Sequence, residues 1–107
     1  MAEGFKKYYG ENFIGFLVYE IVERELIGVL LVLKRRSPLM IDDSLRAMQF
    51  VKFIYPEAKS VSVITLDELK EKLKEKRDEI KDFLTNIVYI HDEFKLLKPI
   101  IEEAQEE

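Results

Sequence analysis

The residues with the most evident potential for chemistry are Glu20, Glu23, Arg24 and Glu25, which follow the first predicted strand. Glu23 and Glu25 are two positions apart, and side chains at that spacing share one face of an extended chain. Carboxylate oxygens gathered in this way could hold a hard cation such as Mg²⁺, with Glu20 as a further ligand. The same residues also suit an acidic connection in solvent, where Arg24 forms a surface ion pair. We favour this second interpretation, since a short run of charges usually forms a solvated surface.

Two other acidic clusters have simpler structural explanations. His91, Asp92 and Glu93 are three possible metal ligands, but consecutive side chains of an extended segment point to opposite faces and chelate one ion poorly. We therefore interpret them as a polar turn, in which His91 could still respond to pH near neutrality. Asp42 and Asp43 could bind a cation, although a helix N-cap and a favourable first-turn position explain them better.

Basic and aromatic residues offer two possible contacts for nucleic acid. Residues 34–36 form a Lys-Arg-Arg run that could contact a phosphate, whereas polyanion binding usually needs a broader patch. The N-terminal aromatic side chains are Tyr8, Tyr9, Phe13 and Phe16. A base-stacking surface would need more basic neighbours than Lys6 and Lys7, so core or dimer packing is the better interpretation. The net charge of −4 also argues against a nucleic-acid partner.

Composition excludes several classes of site. The chain has 107 residues, which suits one domain, and 48% of them are hydrophobic, which is too many for a disordered chain. Cysteine is absent, so disulfides, zinc–thiolate sites, iron–sulfur clusters and cysteine nucleophiles are excluded. The single histidine excludes a multi-histidine metal site within one chain. We expect no resident metal and no cofactor.

Hydropathy and amino-acid usage also suggest a location and a source. No apolar run approaches the roughly 20 residues of a membrane helix, and the first twelve residues have no signal-peptide core. We therefore expect a cytoplasmic protein without a membrane partner. Lysine and glutamate occur 12 and 15 times, whereas asparagine and glutamine occur twice each, a bias typical of hyperthermophile proteins.

Periodicity predicts four strands and three helices in the order β-β-α-β-α-β-α. The predicted strands are residues 13–19, 27–34, 60–65 and 87–90. The predicted helices begin near Asp42 or Asp43, at Leu66 and near Lys98. The second strand is almost continuously apolar, which indicates burial on both faces. The fold class is therefore α/β (α+β), with a mixed four-stranded sheet flanked by helices.

Local sequence signals bear on one connection and on two of the predicted helices. The segment 20–25 lacks the Asn-Gly or Gly-Gly chemistry of a tight turn, so a wide hairpin and a single helical turn both remain open. Thr65 and Glu68 form a capping box that begins one amphipathic helix, about 28 Å long. The last helix, with apolar residues 96–101, either covers the sheet or docks on a second subunit, which makes the chain a candidate for homodimerisation.

Several short motifs occur in the order of a known family. They are the Tyr-Pro pair at 55–56, the strand 61–65, the helix start 66–69 and the Val-Tyr-Ile strand at 88–90. In this order and spacing, residues 50–93 resemble the C-terminal part of small MNT-like nucleotidyltransferase domains of archaea and bacteria. The front half has a similar layout. Strand 13–19 corresponds to the family strand that ends in Gly-Ser, and strand 27–33 to the one that carries paired aspartates.

The chain departs from the family where the family's chemistry lies. The resemblance implies Gly-Ser for binding nucleotide phosphates and Asp-x-Asp for binding Mg²⁺. This chain has Tyr19 and Glu20 in the first place and apolar residues around Ile27 and Val29 in the second. No aspartate lies between residues 1 and 41. The resemblance therefore implies a nucleotidyltransferase-like fold without the usual catalytic mechanism.

These considerations favour a non-catalytic protein that acts through protein–protein contact. The partner would be a second copy, or a small helical protein of the HEPN type with which such domains pair in toxin–antitoxin systems. One alternative is an active or nucleotide-binding nucleotidyltransferase with rearranged ligands from Glu20, Glu23 and Glu25, and with Arg24 in place of the family's arginine. Another is a free-standing α/β protein with a β-hairpin at 13–34 and no link to the family.

Overall fold

A computed structural model describes residues 2–21, 26–35, 40–75 and 78–106, which form five α-helices, one short 3₁₀ helix (Gly10–Asn12) and four strands. The helices are α1 (Ala2–Tyr9), α2 (Met40–Ile54), α3 (Leu66–Lys74), α4 (Asp78–Thr85) and α5 (Leu97–Glu106). The strands are β1 (Phe13–Ile21), β2 (Leu26–Leu33), β3 (Ala58–Thr65) and β4 (Ile87–Asp92). None of the described helices is long and apolar enough to cross a membrane.

The strands form one mixed sheet in the order β3-β2-β1-β4. β1 is antiparallel to both of its neighbours, and β2 is parallel to β3. Helix α2 makes the crossover between the two parallel strands, which need a long connection because they run in the same direction. The predicted fold class, a mixed four-stranded sheet flanked by helices, is confirmed.

β1 and β2 pair as an antiparallel hairpin, whereas the choice between a wide loop and a helical turn concerns connecting residues that the structure does not describe. Their register ends at the pair Ile21 and Leu26, and residues 22–25 lie outside the described part of the chain. One extra residue, Ile14, interrupts the register between Phe13 and Gly15. Such a bulge places two successive side chains on the same face of the sheet.

Helices cover both faces of the sheet, as the apolar second strand predicts. On the α1–α2 side, the core includes Phe5, Phe13, Phe16, Leu31, Ala47 and Val51. On the α3–α5 side, it includes Ile14, Leu17, Val32, Leu69, Leu97 and Ile101. Alternation along each strand divides its apolar residues between the two cores. Phe16 and Leu17 are neighbours in sequence, yet they are buried in different cores.

Helix α1 is an element that the sequence pattern did not predict. It has only eight residues, too few for a periodic stripe to be recognised. Phe5 is its single buried residue, and its ring lies 4.9 Å from that of Phe50 and 5.8 Å from that of Phe13, measured between centroids. The helix is thus stabilised by aromatic packing on the sheet and on α2, as expected for a short helix.

The predicted long helix after β3 is wrong, because the structure divides it into α3 and α4. Six consecutive charged residues, 74–79, have no apolar side chain to bury, and α3 ends at Lys74. The break lets the apolar residues on either side pack on the sheet independently. The start of α3 is as predicted: the Glu68 backbone N–H donates to Thr65 Oγ1 at 3.2 Å, and that hydroxyl donates to Glu68 Oε1 at 3.1 Å.

The predicted N-cap role of Asp42 and Asp43 is also wrong, whereas their predicted position in the first turn is confirmed. Helix α2 begins at Met40, so both aspartates lie inside its first turn and not at the N-cap position. Their side chains lie outside the described part of the structure. The last helix begins at Leu97, close to its predicted start, and it covers the sheet, with Leu97 and Ile101 fully buried.

Candidate functional site

The positions that the sequence resemblance aligns with Gly-Ser and Asp-x-Asp motifs are occupied mostly by packed apolar side chains. Tyr19 pairs with Gly28 across the hairpin, and its ring packs edge-to-face on Phe83 at 4.9 Å. Ile27 is partly buried and Val29 is fully buried in the core. Two apolar side chains offer no oxygen ligand to a hard cation. This part of β2 therefore serves packing.

The acidic segment after β1 is only partly described. Glu20 is exposed at the end of β1, and its backbone N–H donates to the Asn86 carbonyl oxygen at 3.0 Å. Glu23, Arg24 and Glu25 lie outside the described residues. In the described ranges, no group of three or more His, Cys, Asp or Glu side chains is close enough together to hold a metal ion.

The basic run after β2 is held by a side-chain clamp. The Arg35 backbone N–H donates to Asn12 Oδ1 at 2.9 Å, and Asn12 Nδ2 donates to the Arg35 carbonyl oxygen at 2.8 Å. The Lys34 ammonium lies 5.7 Å from the Phe94 ring centroid, a cation–π distance. Arg36 lies outside the described residues. Lys34 and Arg35 are thus fixed beside the end of β2 by local contacts.

His91 and Glu93 share one face of β4, together with Lys6 of α1. His91 Nε2 lies 2.9 Å from Glu93 Oε2, and Lys6 Nζ lies 2.7 Å from Glu93 Oε1. The imidazole stacks on the rings of Phe13 and Phe16, with centroids 5.7 and 5.4 Å away. A histidine oriented by a carboxylate is part of many general-base arrangements. Among the described residues, however, no hydroxyl nucleophile hydrogen-bonds this imidazole, so the group links α1 to β4.

The contacts within this group shift the protonation of two members. The hydrogen bond from Lys6, followed by the one with His91, lowers the pKa of the Glu93 carboxyl below its ordinary value. The same hydrogen bond with Glu93, helped by its charge, raises the pKa of the Lys6 ammonium. The charged forms of Lys6 and Glu93 therefore stabilise each other in the folded state.

The lowered pKa of Glu93 gives a pH-dependent contribution to stability. A carboxyl whose pKa is lower in the folded state stabilises the fold above its unfolded pKa. That contribution is lost as the pH falls through the lower folded pKa. We expect Glu93→Gln to remove it, so that the variant's free energy of unfolding falls less steeply than wild type on the acid side, measured by urea unfolding across pH. The exposed Glu102→Gln on α5 is the control. Equal acid slopes for Glu93→Gln and wild type would contradict the expectation.

Asp92 points to the other face and caps α5. Its Oδ1 accepts from the Leu96 backbone N–H at 3.0 Å, and its Oδ2 accepts from the N–H groups of Leu97 and Lys98 at 3.0 and 2.9 Å. The predicted alternation of residues 91–93 is thus confirmed, since Asp92 and the pair of His91 and Glu93 have different partners. Asp92 is a structural residue that satisfies helix N–H groups.

Large apolar side chains are exposed mainly on the α1–α2 side of the sheet. We call the following six residues the apolar surface: Tyr8, Leu45, Phe53, Ile54, Val88 and Tyr89. The Tyr89 ring packs on Phe16 of that side, and Val88 and Tyr89 line a depression together with Ile54. Phe53 is 88% exposed. Among the described residues, the other large exposed apolar side chains are Phe94 and Leu96, just before α5.

Sequence reasoning did not identify the apolar surface, although part of the signal was present. The predicted core stripe of α2 comprised Ala47, Met48, Phe50, Val51, Ile54 and Tyr55. Leu45 and Phe53 lie off that stripe, so a helix that buries most of the stripe exposes them. Ile54 belongs to the stripe but is 45% exposed, contrary to that prediction. Val88 and Tyr89 gave no such signal, because their exposure depends on β4 being an edge strand that α1 and α2 do not fully cover.

A groove of about 740 Å³ runs between α1 and α2. We call it the α1–α2 groove. Its apolar lining includes Phe5, Tyr8, Phe50 and Phe53, and its rim includes Lys7 and Arg46. The Arg46 guanidinium lies 5.4 Å from the Tyr8 ring centroid. The N-terminal aromatic side chains, considered for base stacking or for packing, fall into two groups. Phe13 and Phe16 are core residues, whereas Tyr8 is exposed beside Lys7 and Arg46.

Comparison of this chain with protein-family models, with curated proteins and with solved structures gave no match.

Proposed function

We propose that this protein is a non-catalytic α/β domain that acts through protein–protein contact. The observation that carries the proposal is the one-sided distribution of exposed apolar residues. Of the eight large apolar side chains that are exposed among the described residues, the six of the apolar surface lie on the α1–α2 side, including Phe53 at 88% exposure. Exposed apolar residues scattered singly are ordinary, whereas a group of large ones on one side is typical of an interaction surface.

The opposite side of the sheet supports the same conclusion by contrast. Helices α3, α4 and α5 expose charged residues, including Asp67, Lys70, Glu71, Lys72, Lys81, Asp82, Glu102 and Glu103. A side with mixed charges of both signs resists association. The two sides therefore differ in the way expected of a molecule that presents one surface to a partner.

The packing at the family's functional positions supports a non-catalytic role. If the scaffold is nucleotidyltransferase-like, as the sequence resemblance suggests, its metal-binding strand has lost both carboxylates to apolar residues near Ile27 and Val29. The direct β1–β2 hairpin is also the arrangement expected of an α/β domain unrelated to that family. The proposal holds in either case, because it depends on the apolar surface and not on ancestry.

The decisive experiment compares wild type with a surface variant. Phe53→Asp places a charge on a side chain that is already 88% exposed, so we expect the fold to be kept. Tagged wild-type protein should self-associate in light scattering, or retain a stoichiometric protein from a native lysate, and Phe53→Asp should reduce that association at least tenfold. Lys70→Asp, on α3, is the matched control and should behave like wild type.

A monomeric wild type that retains no protein in stoichiometric amount would contradict the proposal. So would equal association of wild type and Phe53→Asp, with circular dichroism showing both folded. Calorimetric titration of the full chain with ATP and Mg²⁺ tests the catalytic alternative. We expect no heat of binding, whereas binding that is lost in Glu23→Ala would favour a nucleotide-binding protein with rearranged acidic ligands.

A further inference from the structure

The α1–α2 groove combines an apolar interior with a positively charged rim. Phe5 and Phe50 lie in its interior, and Tyr8 and Phe53 stand exposed along it. Among the described residues that line the groove, none is acidic, while Lys7 and Arg46 are both exposed cations. The local charge is thus opposite in sign to the net charge of the whole chain, which is −4.

The described charges on α1 and α2 extend this positive character. Among the described side chains, the exposed charged residues of these two helices are Glu3, Lys6, Lys7, Arg46 and Lys52. Asp42 and Asp43 also belong to α2, and their side chains lie outside the described part of the structure. Lys6 forms an ion pair with Glu93, whereas Lys7 and Arg46 stand at the groove itself. An occupant that carries carboxylates beside its apolar residues would therefore meet complementary charge.

A second copy of this chain does not suit the same groove. In a two-fold symmetric contact, the same surface of both copies enters the interface, so Lys7 and Arg46 of both copies would lie there without an acidic partner among the described lining residues. Like charges brought together across an interface oppose association. The groove lies between two helices, and an amphipathic helix is the element that commonly fills such a groove with side chains spaced three and four residues apart.

We propose that the α1–α2 groove binds an acidic amphipathic helix of a partner protein. The inference rests on the proposed function and names its partner's chemistry. Apolar side chains of the partner helix enter between Phe50 and Phe53, and its carboxylates lie against Lys7 and Arg46. Tyr8, already beside the Arg46 guanidinium, completes a wall that is apolar along its ring and polar at its hydroxyl.

Two synthetic 18-residue peptides test this inference on the full chain. Both carry leucine at the same amphipathic positions and the same side-chain crosslink that keeps them helical, and they differ only in glutamate or lysine at the flanking positions. We expect the acidic peptide to bind at least tenfold more tightly in fluorescence anisotropy. Raising the salt concentration should reduce the difference in affinity between the two peptides, because salt screens exposed charges.

A charge-reversed variant supplies the sharper test. Lys7→Glu together with Arg46→Glu should invert the preference, so that the basic peptide binds more tightly than the acidic one. The matched control reverses two exposed cations of α3, Lys70→Glu and Lys74→Glu, and should keep the wild-type preference. All of these substitutions are at exposed positions, and thermal unfolding checks that each variant is folded.

Three outcomes would overturn the inference: no binding of the acidic peptide, equal binding of both peptides, or an unchanged preference in the reversed variant. Competition of the peptide by a single-stranded oligo(dT) at equal concentration would also overturn it in favour of a nucleic-acid site. If the peptide experiments fail but Phe53→Asp still loses association, the apolar surface binds a protein partner that is not an acidic amphipathic helix. Failure of both experiments would refute the proposed function as well.

Discussion

Gly15→Ala is expected to lower the free energy of unfolding by about 3 kcal/mol, the upper part of the range for overpacking a core. A Cβ at this position would clash with the His91 carbonyl oxygen and lie 3.1 Å from Leu97 Cδ2. The first contact is with backbone, which cannot move aside as a flexible side chain can. Gly15 also pairs with Val32 on one side and with Asp92 on the other, so any shift disturbs both neighbouring strands.

Urea unfolding followed by circular dichroism measures this loss as a lower midpoint at unchanged slope. Gly10→Ala is the control, since no atom lies within 4 Å of its Cβ position and only its φ of 60° opposes a side chain. We expect that control to lose about 1 kcal/mol. A loss of less than about 1 kcal/mol for Gly15→Ala would mean that β4 does not approach β1 as closely as described.

Asp92→Ala is expected to lower the free energy of unfolding by about 2 kcal/mol, the upper part of the range for an N-cap. The carboxylate accepts three backbone N–H groups at the start of α5, from Leu96, Leu97 and Lys98. Removing it leaves these donors without their acceptor, and the Leu97 N–H is in a partly buried position. The negative charge at a helix N-terminus is lost at the same time.

Two measurements distinguish this loss from a general weakening of the fold. Urea unfolding gives the free energy, and amide hydrogen exchange should accelerate first at Leu97 and Lys98. Asp92→Asn keeps one acceptor oxygen and should lose about 1 kcal/mol. Asp82→Ala, on the exposed side of α4, is the control and should stay within about 0.5 kcal/mol of wild type. Identical exchange at α5 in Asp92→Ala and wild type would contradict the capping role.

The two substitutions concern one junction, at which β4, β1 and α5 meet. Gly15 allows the His91 carbonyl and Leu97 to approach β1, and Asp92 fixes the first turn that carries Leu97. On the other face of the same strand, His91 and Glu93 connect β4 with Lys6 of α1. Residues 91–93 therefore connect β4 with the helices on both faces of the sheet, and these structural contacts account for the three polar side chains.

The strands were predictable because each is an uninterrupted apolar or alternating segment. β1 and β2 were placed within two residues of their observed ends, and the burial of β2 on both faces correctly indicated helices on both sides of the sheet. The start of α3 was predictable for a different reason, because a capping box is a local arrangement within four residues. Local or periodic signals of this kind do not depend on the rest of the chain.

The features that the sequence did not predict depend instead on contacts between distant parts of the chain. Helix α1 is stabilised by contacts of Phe5 with residues that are distant in sequence, such as Phe50. The division between α3 and α4 depends on how each half packs against the sheet. The role of Asp92 depends on a turn that brings the start of α5 back to the carboxylate, and Lys95 in that turn has a φ of 58°. None of these contacts leaves a periodic trace in the sequence.

By itself, the sequence determined the fold class, the strands and the lack of carboxylate side chains in the second strand, since side-chain type and alternation are local properties of the chain. The tertiary structure alone decided which exposed residues share one side of the molecule. Phe53, Tyr8 and Tyr89 come from two helices and an edge strand, and only the order of the strands and the placing of α1 beside α2 bring them to the same side. The groove and its basic rim exist for the same reason: they are formed between elements, and a contact between elements is a property of the folded chain.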